Sequence, residues 1–378
     1  MSEREPDRPL RVALITRRYP PLIGGAERVL SYLAPALADQ GAEVTVACSQ
    51  IPDDPQPWTV PGNPTIVRLP TTTTRALGTL IYMTALRRFL KEGDWDVAYV
   101  SMLKHDAYVA VGVGRSRGFP VILRPEGAGA TGDLAWQSWG RFGRSIAKRC
   151  RLADSVVAIS PAVRGELLDA RYDPAKIHDI PNGVPVPLSS WRPRSNWSER
   201  PRAVFVGRLA PEKGLDVLAS AWPLVRQRFP QARLTLVGEG PMREELESRI
   251  EALGLRGEIE LPGASDDAAS WRRGADLFIL PSREEGMSIA LLEAMADAMP
   301  IVASDIPGNR GLIASGVQGL LARSDDPTAL ADAIVSQWSD RDRAVVWGQA
   351  ARQRVRAEFS IEVMARRHLE LFRKLSRS

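Results

Sequence analysis

Pro281-Ser-Arg-Glu-Glu-Gly-Met-Ser-Ile-Ala-Leu-Leu-Glu-Ala-Met295 places two glutamates, Glu285 and Glu293, on either side of an expected helix start with seven residues between them. Just upstream, Ala275-Asp-Leu-Phe-Ile-Leu280 is a short apolar run that Pro281 stops, the pattern of a buried parallel strand. The loop then lies at the carboxyl end of the strand, where open α/β sheets bind ligands. Ser288 reads as the N-cap, with Ile289, Leu292 and Met295 as the apolar face behind it. Gly286 lets the backbone approach a ligand, and the free amides of the first turn, at Met287 and Ser288, suit an anionic or polyhydroxyl group. Glu293 is spaced to accept hydrogen bonds from a sugar diol. The competing reading is a surface helix with two solvated glutamates.

Two further segments bear on that choice. Ala203-Val-Phe-Val-Gly-Arg-Leu-Ala-Pro-Glu-Lys-Gly-Leu215 is a strand and a turn at Gly207, then Arg208 and Lys213 ahead of an amphipathic helix built on Leu215, Leu218 and Ala219. Arginine as a planar fork and lysine as a point charge together suit a pyrophosphate. Lys213 is one of only six lysines, so general basicity does not explain it. Leu234-Thr-Leu-Val-Gly-Glu-Gly-Pro241 is another strand, ending in Gly238, Gly240 and Pro241, which suits close approach of a flat base or a phosphate to the main chain.

With Tyr19-Pro-Pro-Leu-Ile-Gly-Gly-Ala-Glu27, Ile180-Pro-Asn-Gly-Val184 and Gly319-Leu-Leu321 added, the chain resembles the GT-B glycosyltransferases of family 4, retaining enzymes that use nucleotide sugars. The resemblance is strongest between Val204 and Pro307. It implies an α/β fold of two Rossmann-like, doubly wound parallel-sheet domains facing a central cleft. Residues 1–185 would bind the acceptor, residues 186–359 the donor, and a last helix over 360–378 would cross back onto the first domain. By the same likeness Arg208 and Lys213 bind the donor diphosphate, Glu285 the donor sugar and Glu293 the ribose hydroxyls, with Gly24 and Gly25 under the phosphates. The acceptor falls around Tyr19, Arg124, Glu126 and Asp133.

The chain departs from the family at one position. The family commonly carries a histidine after the strand that begins Pro-Val-Ile; here the run is Pro120-Val-Ile-Leu-Arg-Pro-Glu-Gly-Ala-Gly129, and the matching residue is Glu126. The three histidines, His105, His178 and His368, all lie elsewhere. Arg124, Glu126, Gly127, Gly129 and Asp133 still make a polar, glycine-rich site.

The reaction these residues imply is a metal-independent, hexosyltransferase-type transfer with retention, from a nucleotide diphosphate sugar to a glycan or lipid-linked acceptor, as in bacterial polysaccharide or glycoconjugate synthesis. No cofactor is expected. Arg208 and Lys213 would stabilise the leaving diphosphate, with Glu285 and Glu126 at the reacting sugar. A sugar-nucleotide epimerase on the same scaffold, and a catalytically silent nucleotide-binding partner in a glycan-assembly complex, are the alternatives.

Composition fits a soluble two-domain enzyme: 378 residues, 44% hydrophobic and 25% charged. No apolar window is long enough to span a bilayer, and a cytoplasmic protein with two buried thiols, Cys48 and Cys150, is expected. The net charge of +5 permits an acidic partner, but nucleic acid is not expected because no recognition motif accompanies it. Arg141-Phe-Gly-Arg-Ser-Ile-Ala-Lys-Arg-Cys-Arg151, just after Trp136 and Trp139, reads two ways. It suits peripheral contact at the inner face of an anionic membrane, and it equally suits a solvated helix face. Asp94-Trp-Asp96 and Asp340-Arg-Asp342 read as solvated turns, and Pro181 to Pro201 as an interdomain linker.

Overall fold

The structure, a computed structural model, describes residues 8–21, 25–51, 59–60, 62–130, 132–194, 197 and 199–377. It divides into two compact units, Met1–Gly183 with Ile361–Ser378, and Val184–Ser360.

In the first unit the strands are β1 (Leu10–Ile15), β2 (Ala42–Ser49), β3 (Thr59–Val60), β4 (Thr65–Leu69), β5 (Val97–Ser101), β6 (Val121–Arg124), β7 (Ser155–Ala158) and β8 (Ile177–Asp179). They form one sheet in the order β3-β4-β2-β1-β5-β6-β7-β8. Only β3, paired with β4, is antiparallel. β5 and β6 are buried along their whole length, which is why Val97-Ala-Tyr-Val-Ser101 and Val121-Ile-Leu-Arg124 read as continuous runs rather than alternating ones. The chain runs outward from β1 in one direction and returns to β5 in the other, so a crevice opens beyond the carboxyl ends of β1 and β5.

The second unit holds β9 (Arg202–Val206), β10 (Arg233–Val237), β11 (Ile259–Gly263), β12 (Leu277–Leu280), β13 (Ile301–Ser304) and β14 (Leu320–Ala322), all parallel, in the order β11-β10-β9-β12-β13-β14. Its strand order reverses between β9 and β12. Among the described residues no helix is long and apolar enough to cross a membrane.

The strands β3, β8 and β14, of two or three residues each, are too short to carry a period in the sequence. Two assignments also change. Asp96 is buried, not solvated: it accepts from Arg8 Nη2 at 2.7 Å and from the Arg11 amide at 2.9 Å, fastening β1 beside β5. The Pro181–Pro201 stretch is no free linker, because from Val184 onward it belongs to the second unit. Trp191 and Trp197 are buried there, their indole nitrogens donating to Ala275 O at 2.7 Å and Trp338 O at 3.2 Å.

The last helix, Ile361–Ser376, packs on the helix Gly25–Asp39 and on β5 of the first unit. Its His368 is wholly buried, with Nδ1 2.8 Å from Met364 O and Nε2 2.9 Å from Tyr99 Oη. A neutral ring donating from Nδ1 and accepting at Nε2 satisfies both contacts. Burial lowers the imidazole from 6.5 to about 4. The folded pKa lies below the unfolded one, so this contribution to stability is present above pH 6.5 and is lost as pH falls toward 4. In His368→Leu that acid-side loss should disappear from urea-unfolding curves, while stability at neutral pH falls by about 1–3 kcal/mol because the Tyr99 hydroxyl loses its partner.

Candidate active site

In the second unit the carboxyl edge of the sheet gathers the loops after β9, β10, β12 and β13. Ser288 caps the helix Ile289–Asp297, its Oγ accepting from the Leu291 amide at 3.3 Å, and Ile289, Leu292 and Met295 are buried as the apolar face requires. Neither glutamate is solvated. The Glu285 side chain is 8% exposed, and its Oε1 accepts from Lys213 Nζ and from Ser282 Oγ, each at 2.7 Å. Residues far apart in sequence thus meet beyond β9 and β12, at the point where the strand order reverses. Among the described residues no hydrogen bond is made to Glu285 Oε2.

Arg208 stands 62% exposed on the same loop as Lys213, with Nη2 2.6 Å from Glu212 Oε1. Glu293 is placed otherwise. It is buried, and its Oε2 accepts from Arg272 Nη1 at 2.7 Å, while Arg272 Nε reaches Asp297 Oδ2 at 2.6 Å. Burial pushes the Asp297 carboxyl above its usual range despite this partner.

The glycines explain how the loops fit together. A Cβ on Gly238 would lie 1.8 Å from Gly207 O, one on Gly240 2.3 Å from Leu209 O, and one on Gly214 2.2 Å from Pro281 O. The main-chain approach that requires glycine at 238 and 240 is therefore to the neighbouring loop. Gly207 itself abuts the Phe205 ring, Pro241 is exposed just beyond, and Gly286 and Met287 are partly exposed between Glu285 and the cap.

Arg283, which the sequence reading did not single out, ties this edge together. Its Nη1 and Nη2 donate to Asp216 Oδ1 and Oδ2 at 2.9 and 2.7 Å, Nη1 also to Pro211 O at 2.7 Å, and Nε to Asp325 Oδ1 at 2.6 Å. Its amide donates to Glu212 O at 2.8 Å. Asp216 sits below the usual carboxylate range: burial pushes it up, and the fork outweighs that push.

The first unit brings Arg124, Glu126 and Asp133 together. Arg124 is fully buried at the end of β6; Nη1 donates to Glu126 Oε1, and Nη2 to Asn182 Oδ1 at 2.6 Å. Ser101 Oγ, at the end of β5, donates to the same Glu126 oxygen. The Glu126 amide donates to Asp133 Oδ2 at 2.8 Å, and Lys104 Nζ lies 3.7 Å from Asp133 Oδ1. Burial raises the Asp133 carboxyl from 3.8 to about 6, with the Glu126 amide and Lys104 pulling the other way. Ser101, Lys104 and Asn182 belong to this cluster, and their partners come from other strands, so no local pattern marks them.

Tyr19 lies apart from that trio. Its side chain is buried on the β2 and β4 side of β1, and burial, then Cys48, pushes its hydroxyl up to about 12. Gly25 opens the helix Gly25–Asp39, and Gly24 lies outside the described residues.

A family model described as Glycosyltransferase Family 4 matches residues 23–186, and one described as Glycosyl transferases group 1 matches residues 200–340. Both parts of the chain are thus glycosyltransferase domains, the first of them of family 4. Among the relatives of this glycosyltransferase is the GDP-mannose-dependent alpha-(1-6)-phosphatidylinositol monomannoside mannosyltransferase of Mycobacterium tuberculosis (strain ATCC 25618 / H37Rv), 27% identical over 96% of this chain and 98% of the relative. Another is the alpha-maltose-1-phosphate synthase of Mycolicibacterium smegmatis, 28% identical over 97% of this chain and 100% of the relative. In fold it is similar to the sucrose-phosphate synthase of Thermosynechococcus elongatus, with a TM-score of 0.79 at 22% identity over 97% of this chain and 99% of that one. It is also similar to Anabaena HepE in complex with UDP-glucose, with a TM-score of 0.78 at 20% identity over 97% and 100% of the two chains. The two doubly wound sheets are those of a GT-B glycosyltransferase.

Two outcomes test the geometry of this glycosyltransferase. Loss of the fork in Arg283→Ala should raise amide exchange in Pro211–Gly214 and Ser282–Gly286 by about tenfold or more, leaving the strand amides protected, as mass spectrometry would read it. Removing the only carboxylate that pairs with Arg124 among the described residues, in Glu126→Gln, should cost about 3–5 kcal/mol of stability. A double-mutant cycle with Arg124→Gln should return most of that loss.

Proposed function

We propose that this glycosyltransferase moves a sugar, with retention and without a metal ion, from a nucleotide diphosphate sugar to a glycan or lipid-linked acceptor. The observation that carries the reading is the pair of Lys213 Nζ and Glu285 Oε1 at 2.7 Å, beyond the reversal point of the second sheet. A cation and a carboxylate side by side suit the two ends of one donor: Lys213 with Arg208 at the diphosphate, Glu285 at the hydroxyls of the sugar. Negative charge develops on the diphosphate as the glycosidic bond breaks, and preorganised cations and loop amides, at Gly286, Met287 and Ser288, stabilise it most where they need not move. Attack on the face from which the diphosphate leaves retains configuration and needs no protein nucleophile. The ribose hydroxyls are assigned to Glu293, whose carboxylate Arg272 Nη1 also holds.

The acceptor belongs to the first unit, around Arg124, Glu126 and Asp133, with Tyr19 set apart on the far side of β1. Glu126 Oε1 is occupied by Ser101 and Arg124, and among the described residues no hydrogen bond is made to Oε2, which leaves an acceptor for a hydroxyl. The relatives that use GDP-mannose on a phosphatidylinositol glycolipid, or that make maltose 1-phosphate, support a glycan or lipid-linked acceptor; the proposed setting is polysaccharide or glycoconjugate synthesis in the cytoplasm, at the inner face of the membrane.

Thermal-shift screening against UDP-, GDP- and ADP-sugars identifies the donor, because ligand binding raises stability by mass action. With that donor, Lys213→Ala should lower kcat by about 10²-fold or more at an unchanged fold. Turnover within about threefold of the unsubstituted enzyme would remove Lys213 from the diphosphate site.

A further inference from the structure

We propose that the turn joining the helices Asp133–Trp139 and Gly143–Cys150 is a docking surface for an anionic lipid bilayer. Trp139 is 71% exposed and Phe142 64%, and Leu152, just beyond the second helix, is 45% exposed. Single exposed apolar residues are ordinary, but two large aromatics three positions apart on one turn are a local concentration. Phe142 adopts φ +63°, a left-handed conformation uncommon for a bulky residue, and the strain brings its ring to solvent rather than into the core. The Trp139 indole is braced from behind: Trp136 meets it edge to face at 6.3 Å, and Lys104 Nζ lies 5.4 Å from the Trp136 ring.

The charge beside these rings is of one sign. Leu134 to Ala153 contains five cations and no carboxylate. Arg141, Arg144, Lys148 and Arg151 recur at intervals of three and four, the spacing of one helical stripe, and all four are exposed. Ile146 and Cys150 point the other way, into the core. Among the described residues none of the four has a carboxylate within ion-pair distance. The fifth cation, Arg149, is taken up by the Tyr108 ring at 4.1 Å. An uncompensated basic stripe attracts an anionic surface at long range, and a tryptophan and a phenylalanine at its tip enter the headgroup region on contact. Protruding rings suit a soft interface; single-stranded nucleic acid is held instead in a groove that its bases can line.

The surface rests on the reading of a lipid-linked acceptor, and its test reads binding alone. The full chain should float with vesicles of phosphatidylcholine containing about one-third phosphatidylglycerol and not with phosphatidylcholine alone, and binding should weaken as salt rises. Trp139→Ser/Phe142→Ser and Arg144→Gln/Lys148→Gln should each lower the partition coefficient about tenfold or more. Their melting temperature and donor turnover in solution should stay unchanged. Failure of the unsubstituted chain to float, binding by both double variants as tight as that of the unsubstituted chain, or binding of a single-stranded oligonucleotide without vesicle binding would overturn the proposal. Flotation by a chain that transfers no sugar would sink the transferase reading and leave the surface standing.

Discussion

At the carboxyl edge of the second sheet, loops approach one another main chain to main chain, closer than any side chain with a Cβ permits. Gly238 faces Gly207 O, Gly240 faces Leu209 O, Gly214 faces Pro281 O and Gly308 faces Glu285 O. Each contact joins loops from different strands, so the positions of Lys213 and Glu285 follow from a chain of such contacts and not from either loop alone. Arg283 completes the assembly by bonding Asp216, Pro211, Glu212 and Asp325. A site built this way is held by contacts within the protein itself, before any ligand arrives. That is the condition under which a cation and a hydrogen-bond acceptor stabilise developing charge without first reorganising.

The first unit reaches order by a different route, through buried polar groups that satisfy one another. Arg124, with no exposure, is shared between Glu126 and Asn182, and Asn182 sits in the Pro181–Gly183 segment that ends the continuous part of the unit. The Gly183 amide donates to Met364 Sδ at 3.1 Å, so the same segment is also fastened to the last helix. A guanidinium in a low dielectric is costly unless paired, and each pairing here also positions a residue of the candidate acceptor site. The consequence is that stability and function are coupled in the first unit, whereas glycine packing in the second largely separates them.

How much of this was legible follows from how far the information travels along the chain. Strands buried on both faces, such as Leu277–Leu280 and Ile301–Ser304, announce themselves as unbroken apolar runs. The cap at Ser288 and the apolar face behind it are local, and they were readable. The pairing of Lys213 with Glu285, the fork of Arg283 and the burial of Asp96 join residues tens of positions apart, and a single sequence offers no signal for them. The glycines were visible, but their nearest neighbour was not: Gly238 and Gly240 suggested an open approach to a ligand, and their missing side chains make room for a carbonyl of the next loop. Trp191 and Trp197 show the same limit, since a stretch rich in proline and serine resembles a linker until its two indoles find acceptors in the second unit.

The carboxylate at position 126 is intelligible in the same terms. A histidine at that place, common in the family, brings a neutral ring that both donates and accepts. Glu126 brings a charge instead, and Arg124, two residues back on the end of β6, supplies the opposite one. Together they carry no net charge, so the electrostatic balance of the site is close to that of a neutral imidazole, while the two side chains offer an acceptor at Glu126 and donors already committed to Asn182 and Glu126. Ser101 adds a hydroxyl to the same oxygen, which fixes the carboxylate plane from a neighbouring strand. The carboxylate at 126 therefore depends on at least two other residues of this chain, Arg124 and Ser101. Restoring histidine at 126 alone would leave Arg124 buried without its counter-charge.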